Sequence, residues 1–188
     1  VTNIIEQVIM QPTILALKDQ GIDYKGVLYA GIIITSLGPK VLEFNCRFGD
    51  PETQAILPII EGDLLDPLLA VVDGHLAETQ IRVKNLWSIC VVLASAGYPF
   101  DYRIGEEIQF KSGLDSKTLV FHAGTKIEDS KLVTASGRVL NVVATHENLK
   151  IAKQKVYEEI KKINFKGMYY RKDIGNSGMK KMKRRRRK

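Results

Sequence analysis

Residues 26–58 read GVLYAGIIITSLGPKVLEFNCRFGDPETQAILP, and the reading of this stretch decides the fold. Gly26 to Thr35 is a nearly continuous apolar run rich in β-branched residues, Ser36-Leu37-Gly38-Pro39 is a turn, and Lys40 to Phe48 alternates apolar and polar. Such a pattern predicts two antiparallel strands joined as a hairpin. Successive side chains on a strand point to opposite faces, so Leu42, Phe44, Cys46 and Phe48 are expected to share one face and pack under helices. Glu43, Asn45 and Arg47 then share the other, each roughly 6–7 Å from the next. A carboxylate and an amide oxygen are hard ligands suited to Mg²⁺, which keeps several waters and binds substrate phosphates. A guanidinium beside them can hold a phosphate or acyl-phosphate oxygen bidentately. Asp50 and Glu52 follow where Asp50-Pro51 signals a helix start, and could bind a cationic amine. A strand with a solvated polar face gives the same alternation, so the pattern alone leaves both readings open.

Outward from the hairpin, Ile4, Ile5, Val8 and Ile9, then Ile14, Leu15 and Leu17, recur at helical spacing. They predict a helix from about Asn3 to Gln20, kinked or split near Pro12 and stopped at Gly21. After the hairpin, Ile56, Ile59, Ile60, Leu64, Leu65, Leu68, Leu69 and Val72 predict a helical layer able to cover the sheet, with Asp66-Pro67 as a second helix start. Beyond Gly74 short strand candidates follow at Trp87–Ser95, Glu106–Phe110, Leu119–His122, Lys131–Thr134 and Arg138–Ala144. A last helix is expected from near Thr145 to Ile163, with Leu149, Ala152, Val156, Ile160 and Ile163 as its buried stripe. The fold class is α+β, divided at residues 1–78 and 79–175, with 176–188 as a disordered basic tail.

The net charge of +7 belongs to that tail. Lys180 to Lys188 carries eight Lys/Arg and no acid; the rest holds 20 basic and 21 acidic residues, a net charge of −1. Runs of this kind bind anions, nucleic acid or import receptors, and a frame artefact would look the same. No apolar run reaches the roughly 18 residues that span a membrane. Cys46 and Cys90 sit in apolar strands and read as buried free thiols of a reducing compartment. No Cys/His cluster has zinc spacing. His75, His122 and His146 are scattered, Arg171, Lys172 and Asp173 suggest a surface salt bridge, and most glycines read as turn punctuation. No Gly-x-x-x-x-Gly-Lys-Ser/Thr or Gly-x-Gly-x-x-Gly element is present. The first residue is Val1, which suggests a fragment.

GVLYAGIIIT and GPKVLEFNCRFGDPETQAILP, with SICVVLASAGYP, VFHAGTK, TASGRVLNVVA and INFKGMYYRKDIG after them in order, resemble the C-terminal half of the phosphoribosylamine–glycine ligases, over residues from about 10 to 175. The wording EFNCRFGDPE also resembles the ligase part of eukaryotic multifunctional purine enzymes. The resemblance implies the second half of an ATP-grasp domain (an antiparallel sheet with helices), followed by a small, mainly antiparallel β domain with one late helix. It implies a cytoplasmic ligase that joins phosphoribosylamine to glycine through a glycyl phosphate, converting ATP to ADP and phosphate. Carried over residue by residue, Glu43 and Asn45 match ligands of Mg²⁺ (or Mn²⁺), Arg47 matches a phosphate-contacting arginine, and Asp50 and Glu52 match an acidic loop near glycine; Arg47 and Asp50 are the candidate catalytic residues. Nothing in the chain resembles the family's N-terminal half, which holds the adenine pocket and lid, so the chain is expected to be inactive alone. A different reading is a non-catalytic, ligase-derived binding module whose basic tail meets nucleic acid or a targeting receptor.

Overall fold

The computed structural model describes residues 1–111 and 113–179. The chain forms two compact units, one made of Val1–Asp50 with Glu61–Arg82, the other of Pro51–Ile60 with Val83 onward. Short strands β3 (Ile60–Glu61) and β4 (Arg82–Val83) lie where the chain passes between units.

The first unit opens with helix α1 (Thr2–Ile5), a π-helical turn over Glu6–Met10 and helix α2 (Gln11–Asp19). Pro12 stands in the first turn of α2. It has no N–H to continue the i→i−4 ladder. The backbone widens just before it, where the Gln11 N–H reaches Glu6 O, so the helix is adjusted at Pro12 rather than broken. At its end Gly21 adopts φ 75°, and the Ile22 N–H reaches back to Leu17 O at 3.0 Å, as a left-handed C-terminal stop requires. Strands β1 (Tyr29–Thr35) and β2 (Gly38–Asn45) then pair antiparallel. The Thr35 hydroxyl holds the turn, donating to Gly38 O at 2.9 Å and accepting from the Leu37 N–H at 3.1 Å.

Helix α3 (Glu52–Ile56) and helix α4 (Leu65–Asp73) do not form the expected cover over this hairpin. α3 packs on the sheet of the second unit, and α4 leaves Leu65, Leu69 and Val72 exposed. α4 does not start on an Asp-Pro cap, and Asp50 lies one place before the N-cap position of α3. The N-cap position of α3 is Pro51 itself, with no side-chain bond. Before α4 it is Asp63 that accepts from a free N–H, that of Leu65 at 2.8 Å, while Asp66 lies inside the first turn, where its charge still complements the helix dipole.

The second unit is built on strand β10 (Arg138–His146), paired antiparallel with β5 (Trp87–Ala94) on one side and β7 (Leu119–His122) on the other. Strand β6 (Gln109–Phe110) pairs with β11 (Ile163–Asn164), and β8 (Thr125–Glu128) with β9 (Lys131–Thr134). The β8–β9 turn is the two residues Asp129 and Ser130, both at positive φ (48° and 62°), the twist that two-residue hairpins favour. Helix α5 (Leu149–Ile160) buries Leu149, Ala152, Val156 and Ile160, with Ile163 beyond its end, against Val91, Leu93, Leu140 and Val142. It begins later than Thr145 because β10 continues through His146 and the Asn148 side chain caps the helix, accepting from the Lys150 N–H at 2.9 Å. Glu159, almost buried, is paired with Lys162 at 2.7 Å and accepts from the Asp115 N–H at 2.9 Å.

Residues 176–179 do not belong to a disordered tail. They are helical, Met179 packs on the core, and Asn176 bonds the Lys153 ammonium. Lys180–Lys188 lies outside the described residues, and so does the expectation made for it. Among the described residues no helix is long and apolar enough to cross a membrane.

Leu140 has no exposed surface, whereas Leu42 is 70% exposed. Leu140→Ala is expected to cost about 2–5 kcal/mol through lost contacts and a residual cavity, and Leu42→Ala close to nothing. Urea unfolding of both variants checks the contrast; equal losses would mean that the core is misplaced.

Candidate functional site

The polar row of the hairpin is reshaped by a β-bulge. Gly31 pairs with Glu43 but Ile32 pairs with Val41, so Leu42 is an extra residue with no partner across the ladder. A bulge shifts the alternation by one place. Val41 and Phe44, three apart, consequently face the same apolar concavity with Val8, Thr13, Ala16 and Leu17 of the N-terminal helical stretch. The expected face of Leu42, Phe44, Cys46 and Phe48 is not formed: Leu42 and Cys46 are exposed, and β2 has ended before Cys46.

On the other face Glu43 lies opposite Gly31 and Asn45 opposite Tyr29, so the two oxygen-bearing side chains stand together as the sequence predicts. Gly31 makes room for the first of them. A Cβ there would meet the Glu43 Cγ at 2.9 Å and a carboxylate oxygen at 3.4 Å. The carboxylate thus lies across the glycine in a cradle that any other residue would fill. Arg47 does not join the row, because it sits in the bend after the strand with its guanidinium donating to Phe48 O at 2.8 Å. Asp50 is exposed in the turn before α3, and Glu52 is half-buried in its first turn. Asp50 falls in the first unit and Glu52 in the second.

Two hard oxygen donors on one strand face fit a cation that takes its other ligands from water and phosphate. They do not make a closed cage, and among the described residues no group of three or more His, Cys, Asp and Glu side chains could hold a metal. Just past the strand, the Tyr24 hydroxyl donates to Val27 O at 2.8 Å, and its hydrogen bond with Cys46 pushes the phenol pKa up.

His122 stands with its Nδ1 3.0 Å from Thr125 Oγ1 across the β7–β8 turn. Arg171 and Asp173 form the expected surface pair, with both guanidinium contacts at 3.0 and 2.7 Å. Asp173 is held below the usual carboxylate range by that hydrogen bond, and Arg171 is raised by it. In the sequence Gly31 looks like turn punctuation. The second unit also holds a cavity that Tyr98 and Arg138 line. The one local signal for it is the pairing of small residues with each of these, Ala96-Gly97 before Tyr98 and Ser136-Gly137 before Arg138.

Comparison with known proteins matches residues 1–53 to the family model "Phosphoribosylglycinamide synthetase, ATP-grasp (A) domain" and residues 88–177 to "Phosphoribosylglycinamide synthetase, C domain". The chain belongs to the phosphoribosylglycinamide synthetase family. It is 49% identical over 174 residues to the phosphoribosylamine–glycine ligase of Caldanaerobacter subterraneus, covering 92% of this chain and 41% of that protein. To the trifunctional purine biosynthetic protein adenosine-3 of Gallus gallus it is 47% identical over 173 residues, 91% of this chain and 17% of the other. The crystal structure of phosphoribosylamine–glycine ligase from Thermotoga maritima superposes with a TM-score of 0.74 at 35% identity, over 86% of this chain and 40% of that one. The chain therefore carries the α+β fold of the end of the synthetase ATP-grasp domain and of its C domain, and spans about two fifths of the length of the single-function relatives. A urea carboxylase from Kluyveromyces lactis, 17% identical with a TM-score of 0.56, shares the fold alone.

Cys46 is exposed and Cys90 half-buried, against the expectation of two buried thiols. An aromatic disulfide reagent should label the native chain in a fast and a slow phase, and Cys46→Ser should remove the fast one. A fast phase that survived Cys46→Ser would place the exposed thiol at Cys90.

Proposed function

We propose that this chain is the C-terminal part of an ATP-dependent ligase that joins phosphoribosylamine to glycine, giving glycinamide ribonucleotide, ADP and phosphate in purine biosynthesis, in the cytoplasm. In this reading residues 1–78 end the ATP-grasp domain and 79–175 form the ligase's C-terminal domain. The observation that carries it is the pair Glu43 and Asn45 on one face of β2, with the Glu43 carboxylate seated over Gly31, in a segment matched to the family's ATP-grasp model.

Glu43 and Asn45 would hold Mg²⁺ or Mn²⁺, which when bound neutralises the phosphate charge that builds up during phosphoryl transfer. A glycine carboxylate oxygen attacks the γ-phosphorus of ATP, the bond to the β-phosphate oxygen breaks, and ADP leaves. The amine nitrogen of phosphoribosylamine then attacks the acyl carbon, phosphate departs with the electron pair of the C–O bond, and the nitrogen loses its proton. Arg47 exchanges Phe48 O for an oxygen of the transferred phosphoryl group, a charge-assisted bond stronger than the one it leaves. Asp50 and Glu52 hold the glycine ammonium, so that the carboxylate is presented in one orientation. No covalent nucleophile is needed, because the reaction is driven by positioning and charge neutralisation.

Since the relatives are more than twice as long, residues 1–188 alone are expected to show no glycine-dependent phosphate release. Adding the N-terminal part of a matching ligase in trans should restore release that requires both glycine and phosphoribosylamine. Full turnover by the isolated chain would show that the site is wrongly placed. In the complemented enzyme Glu43→Gln should lower kcat by about 100-fold. Gly31→Ala should act more mildly, by raising the Mg²⁺ concentration needed for half activity. A readout independent of turnover is Mn²⁺ broadening of the β2 amide signals. It should weaken in both variants, and unchanged broadening would remove Glu43 from the metal site.

The eight Lys/Arg of residues 180–188 favour one further reading, a ligase-derived module whose tail binds nucleic acid. Deleting Lys180–Lys188 should leave the melting temperature almost unchanged and abolish any salt-sensitive nucleic-acid binding. Affinity that survived the deletion would support a binding role for the folded units.

A further inference from the structure

Asn45 lies at the weakest place of its strand. β1 and β2 pair from the turn outward, beginning with Thr35 opposite Gly38, and Tyr29 opposite Asn45 is the last pair of the ladder. Beyond it β2 ends, and Cys46 and Arg47 follow in a bend. A two-stranded sheet is marginal in water, and it opens first at the end far from its turn, where no further pair holds it. An amide oxygen and a guanidinium placed there lose their geometry unless something outside the ladder closes it.

The segment between α2 and β1 supplies that closure, because it is itself anchored. At its start the Ile22 N–H is bonded to Leu17 O of α2 at 3.0 Å. In its middle the Lys25 ammonium donates to Val72 O at 3.1 Å, a carbonyl in the last turn of α4, where a cation also suits the helix dipole. Gly26 then turns the chain at φ 146°, a value open to glycine. Across this turn the Tyr24 hydroxyl donates to Val27 O at 2.8 Å. The same hydroxyl shares a hydrogen bond with the Cys46 thiol; a phenol oxygen has the capacity for both. One oxygen thus joins the chain entering the ladder, at Val27, to the chain leaving it, at Cys46, one residue past Asn45 and one before Arg47.

We propose that Tyr24 is a positioning residue: its hydroxyl closes the open end of the β1–β2 ladder on Cys46, and so fixes Asn45 for a cation and Arg47 for phosphate. It touches neither group and acts through the backbone on each side of Cys46. Partners behind a metal ligand hold the ligand in place in this way and tune its affinity. A phenol suits the task because it forms hydrogen bonds without bringing a charge. A lysine at this place would repel the cation, and a carboxylate would compete for it. The inference rests on the ligase reading for what Asn45 and Arg47 bind, while the tie itself rests on the contacts of Tyr24.

Tyr24→Phe keeps the ring and removes the tie. In the full chain, amide exchange at residues 44–47 should quicken about fivefold, the loss expected of one hydrogen bond, while residues 38–41 beside the turn keep their rates. The Mn²⁺ concentration that half-broadens the β2 amide signals should rise by a similar factor. Cys46→Ala should act in the same direction and add nothing in the Tyr24→Phe background, since both remove one interaction. Cys46→Ser, which leaves the phenol a hydrogen-bonding atom, should stay near the native values. Should Tyr24→Phe fail to fold, the contrast between Cys46→Ala and Cys46→Ser at this exposed position carries the test. Native exchange rates at residues 44–47, or effects of Tyr24→Phe and Cys46→Ala that add in full, would overturn the proposal. In the complemented enzyme Tyr24→Phe should raise the Mg²⁺ concentration needed for half activity and leave the KM for phosphoribosylamine unchanged. A fall in kcat with native Mg²⁺ dependence is what a merely structural role gives, and it too defeats the proposal. Failed complementation alongside quickened exchange in Tyr24→Phe defeats the ligase reading alone.

Discussion

The second unit depends on the burial of β10 from both faces. Every residue from Val139 to Ala144 is buried, which a strand achieves only when it is paired on both edges and covered on both sides. β5 and β7 supply the edges, and α5 packs on one face. Asn141 is the one polar side chain within this run, and its amide oxygen lies 4.0 Å from the Cys90 sulfur on the neighbouring strand. Both ends of β10 then do further work. At the start Arg138 is delivered to the cavity, and at the end His146 accepts from the Asn148 N–H at 2.9 Å, setting the residue that caps α5. A strand that slipped by one residue would turn every buried side chain over, and would move the arginine and the cap with them.

The first unit has no such centre. Its sheet has two strands, which is marginal in water without further packing, and its buried apolar residues are few: Ile9 and Ala70, with Pro67. Ile34, Leu37 and Leu42 of the hairpin are exposed. Exposed apolar surface of this kind marks an interaction face. In the ligase reading the partner is the remaining part of the ATP-grasp domain, which explains why a metal-and-phosphate strand lies in the less self-sufficient unit. In that reading β2 would be stabilised by the half that brings the nucleotide, and the site and its fold would be completed together.

What could be read from the sequence follows from the range of the forces involved. The hairpin, the stop at Gly21 and the stripe of α5 depend on neighbours within a few residues, and local pattern shows them. The bulge does not, because Gly31 looks like any strand glycine until the register with Glu43 is known. The bulge took Leu42 off the expected apolar face, and the end of β2 at Asn45 took Cys46, Arg47 and Phe48 out of the alternation. The start of α4 escapes local pattern for a related reason. Asp63 and Asp66 are chemically alike, and only the backbone decides which carboxylate meets a free N–H. The cavity was out of reach altogether, since Pro51, Tyr98, Arg138 and Tyr169 are far apart in the chain and meet only through the strand order of the second unit.

Gly31 and Gly137 share a physical logic. Each stands where a neighbouring side chain takes the space: the Glu43 carboxylate over Gly31, the Tyr98 ring over Gly137. A missing Cβ costs conformational entropy in a strand or turn, and here it allows a polar or aromatic group to lie flat against the backbone with little rotational freedom left. Preorganisation of this sort matters where a reaction proceeds by positioning and not by a nucleophile of the protein, because every degree of freedom removed beforehand need not be removed in the transition state. The bulge extends the same logic along β2. By putting Val41 and Phe44 together on the helix side, it secures the apolar face with two residues and leaves Glu43 and Asn45 side by side, free of any packing duty, on the face where a cation and phosphates can be met.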